Sequence, residues 1–256
     1  PPRRPRLAKR RYRFVGDPAV ATPLRYALTA TGRPPGGRGA TVVVVGSDLG
    51  RMLVHVWTAR SFGPGARPWR DWLAAEVRRP RLLKQIDLAT VASEWVPRVG
   101  AGEVHVVLDD PRRAVRLAGV RRAVPLNGEL SADAVELARR TSPVVGSLVP
   151  PEQRTRLMWQ RLGPVLAGHP GPALRVPGRH RDWLVDRTAD LRRRLNRGDY
   201  AVHGSLADPV DGAGVTAPDE DGVLALAIQV LLGPPIGSPG ATSSTTGPTR
   251  GEVEEA

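Results

Sequence analysis

The chain has 256 residues, no cysteine and a formal charge of +13, from 38 basic against 25 acidic residues. The missing cysteine rules out disulfides, thiolate catalysis and Cys-ligated metals and fits a cytoplasmic protein. The length suits one sizeable α/β domain, alone or with tails. All of the basic residues except Lys9 and Lys84 are arginine, beside abundant Ala, Gly, Pro and Val. That composition matches the codon bias of a GC-rich genome, so net charge alone does not mark a nucleic-acid partner. No apolar run reaches the roughly eighteen residues needed to cross a bilayer.

Taken in order, residues 1–11 (PPRRPRLAKRR) form a basic, Pro-rich arm. It reads either as an electrostatic grip on phosphate or another polyanion, or as a solvated tail. The arm lacks the apolar core of a secretory signal. The segment RYRFV (11–15) reads as a short strand turned by Gly16-Asp17-Pro18, residues 19–31 as a helix, and GRPPGGRG (32–39) as a surface loop.

The stretch TVVVVGSDLGRMLVHVWTAR (41–60) organises the rest. A valine run bounded by turn residues is the sequence form of a strand buried on both faces. Behind it, Leu49, Met52, Leu53, Val56 and Trp57 recur at helical spacing, and Ser47 or Asp48 stands where an N-cap belongs. Junctions of this kind commonly hold anionic groups in α/β proteins.

Helices are expected over 69–80 and 82–96, then a second strand, EVHVVL (103–108). Two apolar strands separated by a helical crossover imply parallel pairing, and such crossovers are right-handed with few exceptions. A short helix capped by Ser131 is expected to reach Arg140. Residues 151–166 form another, with Leu157, Met158, Trp159 and Leu162 inward. An Arg-rich helix spans 179–197, an extended segment 199–206 and a last helix 219–232. From residue 233 the chain is too poor in apolar residues to order itself.

Motifs for common chemistries are missing. The five histidines (55, 105, 169, 180 and 203) form no HxxxH or HExxH pair, so no metal site is expected. His105, alternating with Val104 and Val106, reads as structural. There is no G-x-S-x-G elbow and no Walker glycine loop. Asp109-Asp110 at a strand end reads as turn chemistry, although α/β sites also sit there. The six tryptophans fall at apolar helix positions and read as core.

In order along the chain, VVVVGSDLGRMLVHVW, PWRDWLAAEV, DLATVASEWVPRVGAGEVHVVLDD and RHRDWLVDRTADLRRRLNRGDYAVHGSLADPV resemble the actinobacterial sulfotransferase-like family, from about residue 12 to about 210. The resemblance implies a P-loop nucleotide-hydrolase fold and the sulfate donor PAPS. The fold expected is therefore an incomplete or degenerate P-loop three-layer α/β domain over 12–232, with a small parallel sheet and several packed helices. The departures lie where the family's chemistry lies. Its TPKTGTT-type loop, which surrounds the donor's charge with backbone amides and a Lys, has no counterpart here. Where the family has an Arg at the strand end and a Ser further on, both gripping the 3′-phosphate, this chain has Ser47 and His55, with Asp48 alongside. Arg51 and His55, one helical turn apart, offer a substitute, so Ser47, Arg51 and His55 are the candidate cofactor-binding residues. Asp17 falls near an acidic position of the family, and no residue is assigned a catalytic role.

Two explanations fit these departures: a piece of a longer protein, in keeping with a start at Pro1, or a relative that has lost donor binding. On either, no PAPS-dependent activity and no bound cofactor are expected of these residues as they stand. The competing expectation is a non-enzymatic basic binding or scaffold module for nucleic acid or another polyanion, using the arm and the Arg-rich helix 179–197.

Overall fold

The computed structural model describes residues 11–32, 36, 39–108, 110–119, 129–209 and 214–233. Strand β1 (Arg11–Gly16), β2 (Ala40–Gly46), β3 (Val104–Leu108) and β4 (Ala201–His203) form one parallel sheet in the order β1-β2-β3-β4. All of β2 is buried, as a valine run between two neighbours requires. Its side chains alternate between faces and so divide the core. Val42 and Val44 join Val104 and Val106 on one face, while Val43 and Val45 join Phe14 and Val107 on the other.

Helices cover both faces. Helix α1 (Pro18–Ala30) packs Val20, Ala21, Leu24 and Leu28 against the Phe14 face. The opposite face carries the larger core, built by α2 (Leu49–Ser61), α3 (Trp69–Val77) and α4 (Leu88–Val99). Trp57 meets Trp69 edge-on at 5.4 Å, and Trp69 stacks on Trp72 at 5.6 Å, so these three tryptophans are core as expected. The expected helix over 82–96 begins only at Leu88, because Asp87 accepts from the Thr90 amide and caps it there.

Both β1–β2 and β2–β3 step the same way across the sheet, yet α1 and α4 lie on opposite faces. The two crossovers therefore have opposite hands, and one departs from the right-handed rule expected of them.

After β3 come α5 (Pro111–Leu117) and α6 (Ala132–Leu148), the latter capped by Ser131 as expected but running eight residues past Arg140. Pro143 does not stop it, and Ser142 anchors the extension by donating to the Gly63 carbonyl at 2.7 Å. The expected helix over 151–166 is interrupted: α7 (Pro151–Arg156), a π-helical turn (Leu157–Leu162) and α8 (Gly163–Ala167). The wider turn rotates Leu157 and Trp159 to about two-fifths exposed while Met158 and Leu162 stay buried. Helix α9 (Arg181–Asn196) buries Leu184, Leu191 and Leu195, and α10 (Glu220–Leu232) closes against α6. The basic arm (except Arg11, which opens β1), Asp109, and the tail from residue 234 lie outside the described residues. No helix among those described is long and apolar enough to cross a membrane.

Candidate functional site

The carboxyl ends of β1 and β2 stand side by side, and each turns directly into a helix. Gly16 makes the first turn at φ +100°, and a Cβ there would lie 2.2 Å from the Val45 carbonyl, so the position admits only glycine. Asp17 follows as the N-cap of α1, with its carboxylate accepting from the Ala19 amide at 3.0 Å, and Pro18 occupies N1. At the second turn Asp48, rather than Ser47, is the cap, accepting from the Arg51 amide at 2.9 Å. Ser47 turns sideways and its hydroxyl donates to Asp17 at 3.2 Å.

From α2, His55 reaches back to Asp17. Its Nδ1 lies 2.9 and 2.8 Å from the two carboxylate oxygens, and Asp17 is fully buried. The other ring nitrogen, Nε2, faces Glu129 at 3.5 Å. Arg51, one turn earlier on α2, donates through Nε to the same Glu129 oxygen. The three candidate cofactor-binding residues, Ser47, Arg51 and His55, are thus brought together, and with them come Asp17 and Glu129.

The charges set each other. Burial alone would lower the His55 pKa, but Asp17 and Glu129 outweigh it and raise it to about 9. The contact with His55, partly countered by burial and reinforced by Arg51, pulls Glu129 down to about 2. At neutral pH the cluster is therefore an imidazolium and a guanidinium facing carboxylates. With both ring nitrogens protonated, His55 holds a proton rather than a free lone pair. Ser47 donates to Asp17 and not to His55, so no serine–histidine nucleophile is assembled.

Glu129 escaped sequence reasoning because it lies 78 residues from Arg51 and belongs to no motif. A second pair was also missed. His105 Nδ1 lies 3.0 Å from His203 Nε2 across β3 and β4, with the rings stacked. Burial, then His105 and Arg113, lower the His203 pKa. Among the described residues no group of three or more His, Cys, Asp or Glu is arranged to hold a metal ion.

The arginines of α9 are largely committed within the protein. Arg187 donates to the carbonyls of Arg79 and Pro80, and Arg192 to Leu206 and Asp208. Arg193 pairs with Asp190, and Arg194 with Asp87 and Asp190. Compared with protein-family models, curated proteins and solved structures, the chain matches none.

Proposed function

We propose that this chain is a sulfotransferase-like α/β protein that does not carry out PAPS-dependent sulfotransfer and serves as a binding or scaffold module. The parallel sheet with helices on both faces is compatible with a P-loop fold, and the strand-to-helix turn at Gly46–Asp48 stands where such proteins bind phosphate. One observation carries the loss of donor binding: Arg51 and His55, the cations available for a phosphate, are already paired with Glu129 and Asp17. Asp48 adds a further carboxylate at the helix start. An anionic donor does not fit this junction as it stands, because it would have to displace a carboxylate held between two cations.

Calorimetric titration with PAP, the desulfated donor product, tests this reading. The expected result is no micromolar binding by the folded protein. A micromolar dissociation constant would overturn it, and sulfotransfer would then be assayed directly.

The basic, Pro-rich arm PPRRPRLAKRR supports a second reading, a module for nucleic acid or another polyanion. Since the α9 arginines have internal partners, contact would fall to the arm, residues 1–11. Affinity for a polyanion should then drop steeply with salt; an affinity that salt leaves unchanged counts against it.

A further inference from the structure

Arg51 and His55 converge on one carboxylate from the same helix face, and that geometry is the chemistry of a ligand site. Arg51 supplies a guanidinium whose side chain is 55% exposed, and His55 an imidazole that is 11% exposed. Glu129, one-third exposed, lies on the outer side of both. On the inner side His55 spends Nδ1 on Asp17, which leaves Nε2 and the Arg51 guanidinium directed outward together. Glu129 comes from the coil just before α6 rather than from the strand-end scaffold.

We infer that Glu129 is an internal ligand, seated in an oxyanion site formed by Arg51 and His55, where it competes with any external carboxylate, phosphate or sulfate group. This rests on the reading that donor binding is blocked at this junction, and it names the residue that blocks it. The remaining carboxylates do not undo the site. Asp17 is consumed on the buried side by His55 and the α1 amide, and Asp48 by the α2 amide. With Glu129 removed, the Arg51 guanidinium and the Nε2 side of His55 face an opening that Glu129 no longer fills, while Asp17 balances His55 from the inner side only. A small oxyanion then restores the charge-assisted bonds that the glutamate made.

The test is titration of the full chain with inorganic phosphate, followed by calorimetry and by the His55 imidazole signals in NMR. Wild type is compared with Glu129→Ala and with the near-isosteric Glu129→Gln, which guards against a folding defect in the alanine variant. Removing the competing carboxylate should tighten phosphate binding at least about tenfold, the scale of one hydrogen bond to a charged group. Phosphate should shift the His55 signals, and adding Arg51→Ala should abolish the gain. Unchanged affinity in both folded variants overturns the inference, as does a gain that survives Arg51→Ala. Failure here leaves the PAP result on wild type standing, and PAP binding by wild type leaves this comparison to be read separately.

Discussion

Two helix caps in this protein have been given a second task, and they differ in one respect that matters. Asp17 caps α1 and grips His55 from α2; Asp87 caps α4 and grips Arg194 from α9 at 2.7 Å. In each, one carboxylate closes a helix start and ties it to another helix. The Asp87 partner is a guanidinium that keeps its charge at any working pH and leans on Asp190 as well. The Asp17 partner is a nearly buried imidazole whose charge exists only because carboxylates surround it. The first is a permanent clamp. The second can take up or release a proton, and it sits where α/β sheets place their sites.

The sharpest way to break the comparison is to remove the charge from Asp17 while keeping its cap. Asp17→Asn leaves a side chain that still caps but strands a buried cation, so unfolding by urea near neutral pH should cost about 3 kcal/mol less. A loss below about 1 kcal/mol would mean that His55 needs no counter-charge. The same substitution should lower the His55 pKa from about 9, visible in NMR titration, since Glu129 alone then opposes the effect of burial.

The pH dependence separates the two sites next. The folded His55 pKa, about 9, lies above its usual 6.5, so its contribution is complete below 6.5 and is lost as pH rises through about 9. Over that interval the fall in stability attributable to this group is at most about 3 kcal/mol. His55→Gln should flatten that part of the profile. Asp87→Ala should leave its slope intact, and a profile equally flattened by Asp87→Ala would erase the distinction. Glu129 acts at the other end: its contribution is present above 4.5 and lost as pH falls through about 2.

Asp87→Ala itself removes a cap and one partner of a cation that is one-third exposed. It should lower stability by about 2 kcal/mol in urea melts, of which roughly 1 belongs to the cap. Asp87→Asn should recover that share. The smallest effect is expected for Glu129→Gln, under about 1 kcal/mol, because Arg51 is more than half exposed and solvent screens its pairing with the one-third-exposed carboxylate. A larger loss would make Glu129 a structural strut rather than an occupant of the Arg51–His55 opening.

The elements were legible where local pattern and burial agree. The valine run, the Leu49–Trp57 stripe and the turn at Gly16-Asp17-Pro18 each announced their structure, and the helix after Gly46 starts one residue from the expected caps. Boundaries failed where a tertiary contact or a cap intervened. Asp87 begins α4 late, Ser142 carries α6 past Pro143, and the π-helical turn exposes Trp159. The candidate site was half legible, since Ser47, Arg51 and His55 lie on a single strand-to-helix stretch. Asp17 lies 38 residues from His55 with no pattern to assign it a role, and nothing local marks Glu129.

The sequence by itself determined the class of structure. Periodic apolar residues and turn glycines act over a few neighbours, so they specify a parallel α/β sheet and the helix that carries Arg51 and His55. Only the tertiary structure decided what those residues face. Asp17 is 38 residues from His55 and Glu129 is 78 from Arg51, and no local pattern encodes such pairings. The state of a charged side chain depends on its burial and on the charges within a few ångströms, which the fold alone assembles. That is why a set of residues expected to receive an anion turns out to be holding two of the protein's own carboxylates.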